Sequence, residues 1–333
     1  MQVPVVDADN CVVNDKKYQP PLTFPIGPFT RYEHNPILVP DQNREFESGY
    51  LYNATAIVVD DRVWLLYRAQ STNKTSSVGL AWLSDGVTFT KYPKPIIYPT
   101  EPWEAKGGCE DPRIVFDYEN KRFVVTYTGY DSKTARLCVA YSKDLLNWTK
   151  LPPFVKPSKD GEQGSEWLKL GAIFNEKVNG RYWMVYGEGN HKLACSEDMI
   201  NWTMAGLFSN PEVFTVPRFP YESRLIEPGP APIKLTTGQW AFLYNALTNG
   251  DDQLGLEPTT YTLSQMLVDL PAIEQGPVAR LERPFMRPES DNEKNGQVDK
   301  VVFCEGVVQF HGKWFLYYGQ GDSELGVAFA DVV

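Results

Sequence analysis

Histidine is scarce in this chain. There are three in 333 residues, His34, His191 and His311, and no two are close in sequence. Isolated histidines argue against a histidine-built catalytic metal centre. The sequences H-E-x-x-H, G-x-S-x-G and G-x-x-x-x-G-K-[ST] are absent, so three common catalytic and nucleotide-binding devices are missing. The five cysteines, Cys11, Cys109, Cys138, Cys195 and Cys304, are scattered and never form C-x-x-C. They give neither a zinc pattern nor a disulfide framework, and free thiols are expected. Positive charge is in deficit: 32 Lys and Arg against 42 Asp and Glu leave a net charge of −10. That balance argues against nucleic acid and anionic membrane as partners. No run of 18 apolar residues is present, so no membrane-spanning helix is expected. The first residues, Met1 to Asp7, have neither a basic n-region nor a long apolar h-region. A cytoplasmic location is therefore expected, or a periplasmic one had a leader been removed. No helix-period segment of useful length stands out, and nothing calls for a cofactor or a metal.

What the chain does have is aromatics, at 13%, with 26 prolines and 25 glycines. That is the composition of many strands and turns. Residues 1–45, rich in proline and without clear period, read as an extended arm. Beyond them one unit recurs. Five strands look alike: Val63–Tyr67, Phe123–Tyr127, Tyr182–Tyr186, Trp240–Tyr244 and Trp314–Tyr318. Their last tyrosines are 60, 59, 58 and 74 residues apart. Each strand follows a polar turn and an earlier short apolar strand, which is a hairpin signature. In most units a third strand of the form V-A-x-S-x-D follows, as in Val139-Ala140-Tyr141-Ser142-Lys143-Asp144. The fourth unit's version, near Tyr261, is degraded. Units of this length and content predict an all-β fold, a five-bladed β-propeller over 46–333. A β-sandwich with accidental similarity is the competing architecture. The polar tract Pro288 to Lys300 is expected to form a loop over one face.

Aligning the hairpins places one residue per unit at the mouth of its first strand: Asn53, Asp111, Lys169, Glu227 and Glu305. A ring of buried charges is costly unless paired or used, so it suggests a ligand site. Lys169 merely neutralising its neighbours is the bland alternative. Further candidates stand at the ends of the aromatic strands: Arg68, Tyr127, Glu188, Asn245 and Asp322. Arg113 shares the strand mouth of Asp111 in Gly107-Gly108-Cys109-Glu110-Asp111-Pro112-Arg113. Carboxylates with aromatic platforms and neutral polar groups are the equipment of glycoside chemistry.

The run Gly108 to Arg113 resembles the signature of glycoside hydrolase family 130, a family of β-mannoside phosphorylases and β-1,2-mannosidases. The similarity extends through Tyr52-Asn53, Leu65 to Ala69, Gly229 to Ile233 and Tyr317 to Asp322. The resemblance implies a five-bladed propeller and inverting cleavage of a terminal β-mannoside. It makes Asp111 the acid, relaying its proton through a sugar hydroxyl in the phosphorylases. It assigns Asn53, Arg68, Tyr244 and Asp322 to the terminal mannose. Phosphorylases of the family carry a His-Arg pair where this chain has Tyr186-Gly187, followed by Glu188. A carboxylate repels phosphate and can deprotonate water, so hydrolysis is expected first, with Glu188 or Glu227 as the base. Lys169 keeps phosphorolysis as the alternative. An arabinosidase-type enzyme and a non-catalytic carbohydrate-binding propeller rank lower. The expected partner is a β-mannoside oligosaccharide, and an oligomer is left open.

Overall fold

The computed structural model describes residues 3–154, 167–207, 210–211 and 213–332. Almost all regular structure in it is strand, and the one α-helix is the four-residue turn Asp291–Lys294. Four strands in a row, Tyr50–Val59, Arg62–Gln70, Ser76–Leu83 and Phe89–Lys91, pair antiparallel with their neighbours. The same meander recurs as Gly108–Asp117, Arg122–Tyr130, Ala135–Ser142 and Trp148–Lys150. It recurs again from Gly171–Val178 to Trp202–Met204. In the fourth meander the first strand is split into Leu225–Pro228 and Ile233–Lys234. The break falls on Gly229-Pro230-Ala231-Pro232, because proline cannot donate to a ladder. Its third strand, Tyr261–Val268, pairs along its full length although its sequence has lost the repeat motif. The fifth meander runs Val302–Phe310, Lys313–Gln320 and Glu324–Asp331, and its fourth strand comes from the arm: Thr30–Arg31 pairs with Ala328 and Phe329. Hydrogen bonding does not keep five sheets apart, since a single parallel bridge, Ser76 to Gly108, joins the first two.

The hairpins form where the turn residues dictate. Asp60-Asp61, Asn179-Gly180 and His311-Gly312 all have positive φ at both positions. Two-residue turns of that hand match the twist of the flanking strands. The strands bury both faces, so they read as continuous apolar runs; Trp64, Tyr67, Phe123, Tyr244 and Trp314 are nearly inaccessible.

The repeated tyrosines have a structural explanation. Tyr67 donates its hydroxyl to Glu47 at 2.9 Å, Tyr127 to Glu104 at 2.7 Å and Tyr318 to Glu293 at 2.9 Å. Tyr244 donates to Glu222. Each glutamate sits in a one-turn helix ahead of its meander's first strand and is fully buried. Each also has a cation: Lys91 for Glu47, Lys150 for Glu104, Arg280 for Glu222 and Arg31 for Glu293. A buried carboxylate must be paired and hydrogen-bonded. These latches clamp the entry of four of the five meanders to their own second strands.

Candidate active site

The strand mouths are shaped by bulges. Register slips by one residue around Asn53, around Asp111-Pro112 and around Glu305. Asn53 and Asp111 take left-handed backbone, φ +45° and +51°. Asn and Asp tolerate that region better than other side chains, and a bulge re-aims what it carries. The two side chains meet: Asn53 Nδ2 donates to Asp111 Oδ1 at 3.0 Å. Gly319 makes room for this contact, because a Cβ there would lie 2.8 Å from Asn53 Oδ1.

Arg68 holds the acidic pair. One Nη donates to Asp111 Oδ1 at 3.0 Å and the other to Glu110 Oε1 at 2.6 Å. Its Nε donates to Ser76 Oγ at 3.1 Å, and its guanidinium lies 4.9 Å from the Tyr52 ring centre. Burial works against ionisation of Asp111, but Arg68, Lys169, Asn53 and Arg113 outweigh it, and its carboxyl sits below the usual carboxylate range. Glu110 goes the other way: burial raises it despite Arg68.

Across the cluster, Lys169 Nζ lies 3.2 Å from Glu227 and 3.4 Å from Glu188. The turn Gly187-Glu188-Gly189 explains the meeting. Its glycines have φ +107° and +90°. The Gly187 amide donates to the Lys169 carbonyl at 3.0 Å, and the Gly189 amide to the Ile226 carbonyl at 3.1 Å. Glu188 is thereby clipped between Lys169, just ahead of its strand, and the strand of Glu227. Burial raises the Glu227 pKa against the pull of Lys169, and the like charge of Glu188 adds to the rise. Asp322, at φ +50°, is raised to about 7 by burial, and the charges of Arg68, Asp111, Glu227 and Lys169 all reach it.

Four expected ligand contacts lie elsewhere. Tyr127 and Tyr244 give their hydroxyls to the latch glutamates Glu104 and Glu222. Arg113 and Glu305, 2% and 0% exposed at the side chain, pair with each other at 3.1 Å in the interior. Asn245, another strand-end candidate, is also interior: it donates to the Cys304 carbonyl at 3.2 Å and accepts from the Cys304 amide at 2.8 Å.

Two contributors lacked a sequence signal. Burial, then Glu227, Asp322 and Glu188, push the Tyr261 hydroxyl far above its usual pKa, with a hydrogen bond to Glu227. It comes from the strand whose repeat motif had decayed. Gln297 Nε2 donates to Tyr52 Oη at 3.1 Å and approaches the Asp322 carbonyl at 3.4 Å. The polar tract 288–300 thus does reach the cluster. Glu110 was in plain view in the sequence, but strict alternation would have aimed it away from Asp111.

The family model described as β-1,4-mannooligosaccharide phosphorylase matches residues 28–333. The chain belongs to glycoside hydrolase family 130. A β-1,2-mannobiose phosphorylase of Thermoanaerobacter sp. (strain X514) is 32% identical over 90% of this chain and 96% of its own length. A 1,2-β-oligomannan phosphorylase of the same organism is 29% identical over 91% and 97%. Among solved structures, one reported with family 130 glycoside hydrolases that target β-1,2 mannosidic linkages in Candida mannan superposes with a TM-score of 0.85. It is 32% identical and covers 93% of this chain and 96% of its own.

Proposed function

We propose that this chain cleaves a terminal β-mannosidic bond, with Asp111 as the acid; Arg68 and Lys169 keep it ionised in the free chain, so it has to take up its proton in the substrate complex before passing it on. The observation that carries this is the Asp111 carboxylate, re-aimed by its bulge and gripped by Asn53 and Arg68 within a cluster of acids. Asn53, Arg68 and Asp322 would hold the terminal sugar through its hydroxyls. The family membership, and the β-1,2-mannobiose and oligomannan activities named for the relatives, support a β-1,2-linked mannoside as substrate.

For the acceptor, the curated relatives favour phosphate, and with it phosphorolysis over the hydrolysis put first from the sequence. Lys169 would be the phosphate ligand. Hydrolysis is the second reading, and one observation favours it. Lys169 is already engaged by Glu188 and Glu227, so an arriving phosphate would face two carboxylates. A water held there would have a base beside it. The family 130 hydrolases reported with the solved structure at 32% identity support the same reading.

We further propose that the five meanders stand as five blades about an axis lined by their first strands. Two features support it: the strands Tyr50–Val59 and Val302–Phe310 pack against each other, and the arm strand Thr30–Arg31 completes the last meander.

The test is incubation with β-1,2-mannobiose, with and without inorganic phosphate, resolving mannose from mannose 1-phosphate. Phosphate-dependent mannose 1-phosphate establishes phosphorolysis. Free mannose at a rate indifferent to phosphate establishes hydrolysis. Inertness toward β-1,2- and β-1,4-linked mannosides alike would overturn the assignment.

A further inference from the structure

Arg113 and Glu305 are the most deeply buried ion pair near the cluster, and neither reaches the sugar side. What Arg113 touches is backbone. Its Nε donates to the Gly229 carbonyl at 2.8 Å, one Nη to the Pro228 carbonyl at 2.7 Å, and the other Nη to the Asp111 carbonyl at 3.0 Å. Pro228 and Gly229 directly follow Glu227 in the chain. One guanidinium therefore ties the peptide of the proposed acid to the turn behind Glu227. Glu305 faces Arg113 at 3.1 Å, and its two oxygens have no hydrogen-bond donor among the described residues. Burial raises it well above the ordinary carboxylate range, against the pull of Arg113.

Such a pair is a poor device for stability alone. Interior ion pairs are often replaced by apolar side chains of similar volume with no loss of stability. A lysine could not reproduce the contacts either, because only the planar fork of arginine presents several donors in fixed directions. The next residues on the same strands, Ile114, Val115, Val307 and Val308, line a cavity of about 650 Å³. Along the strand Gly108–Asp117, Arg113 stands between Asp111 and the residues that line that cavity.

We propose that Arg113, braced by Glu305, is a positioning residue that sets the spacing between Asp111 and Glu227. It acts through the two backbones and touches no substrate. This rests on the assignment of Asp111 and the Lys169–Glu227 side to the cleavage chemistry. Its mark is a loss in kcat with KM preserved, because the groups that hold the terminal sugar are left intact.

The experiment compares Arg113→Met/Glu305→Leu and Arg113→Lys with the wild type on β-1,2-mannobiose, alongside crystal structures of the variants and an Asp111→Asn control. Expected is a folded double variant with kcat down about 100-fold, the scale of an ångström-sized misplacement. KM should stay within about threefold, since uniform binding is untouched. The Pro228-Gly229 turn should shift relative to Asp111. Arg113→Lys should recover only part of the loss, and it carries the test should the double variant not fold. Wild-type kcat in either folded variant overturns the proposal, as does a crystal structure with the turn and Asp111 unmoved. An Asp111→Asn enzyme as active as the wild type would instead sink the cleavage assignment, and the crystal structures would still decide the positioning role.

Discussion

Lys169 and Glu227 face each other at 3.2 Å, and the ammonium is shared with Glu188. Burial, with the like charge of Glu188, raises the Glu227 carboxyl above its usual range, and the cation limits that rise. Removing it has consequences that separate the two acceptors.

Lys169→Met is expected to lower turnover by about 100-fold, the lower range for losing one electrostatic contact to the reacting groups. Under hydrolysis the acidic limb of the pH–rate profile moves to higher pH, because Glu227 then protonates more readily. Under phosphorolysis the KM for phosphate rises and that limb stays in place. Initial rates between pH 5 and 8 at several phosphate concentrations distinguish them.

Asp111→Asn keeps the shape of the side chain and removes its proton chemistry. Turnover should fall by about 10²–10⁴, with binding of mannose retained in calorimetry. Undiminished turnover would remove Asp111 from the mechanism.

Tyr127→Phe deletes the hydroxyl that reaches the buried Glu104. The loss leaves that carboxylate short of a partner and should cost about 1–3 kcal/mol of stability. Turnover should be unchanged at a temperature where the variant is folded. A selective rise in KM would place Tyr127 back at the sugar.

Two acids give opposite pH dependences. Asp111 is held below its usual range, so it stabilises the fold above the ordinary carboxylate pKa, and that stability is lost as pH falls through its depressed value. Asp322 is raised to about 7, so the native state keeps a proton that the unfolded chain has released. Stability from this group falls as pH rises from about 4 to about 7. Asp322→Asn should therefore flatten the melting temperature across that window and raise it at pH 7. An unchanged slope between pH 4 and 7 would show that Asp322 does not titrate there.

Much of this architecture is legible in the sequence alone. The spacing of the aromatic strands marked five hairpins, and the polar dipeptides between their strands marked the turns, which have the backbone hand those residues favour. The motif around Asp111, with Asn53, Arg68 and Asp322, pointed to the right family. Local chemistry suffices for such features, because a turn or a strand is specified by residues within a few positions of one another.

The tertiary structure decided which of the recurring residues face the site. A strand's period of two sorts side chains onto two faces but does not say which face meets a ligand. Four of the five tyrosines that are the most regular feature of the repeat proved to be latches to buried glutamates, which is where Tyr127 and Tyr244 are engaged. The bulge at Asp111 broke alternation and turned Glu110 and Asp111 toward one arginine. Tyr261 and Gln297 joined the cluster from stretches where the repeat had faded, and Arg113 turned inward to the carbonyls behind Glu227. Each of these depends on partners 22 to 245 residues away, where the outcome is set by how the sheets pack and by which buried charge must find a counter-charge.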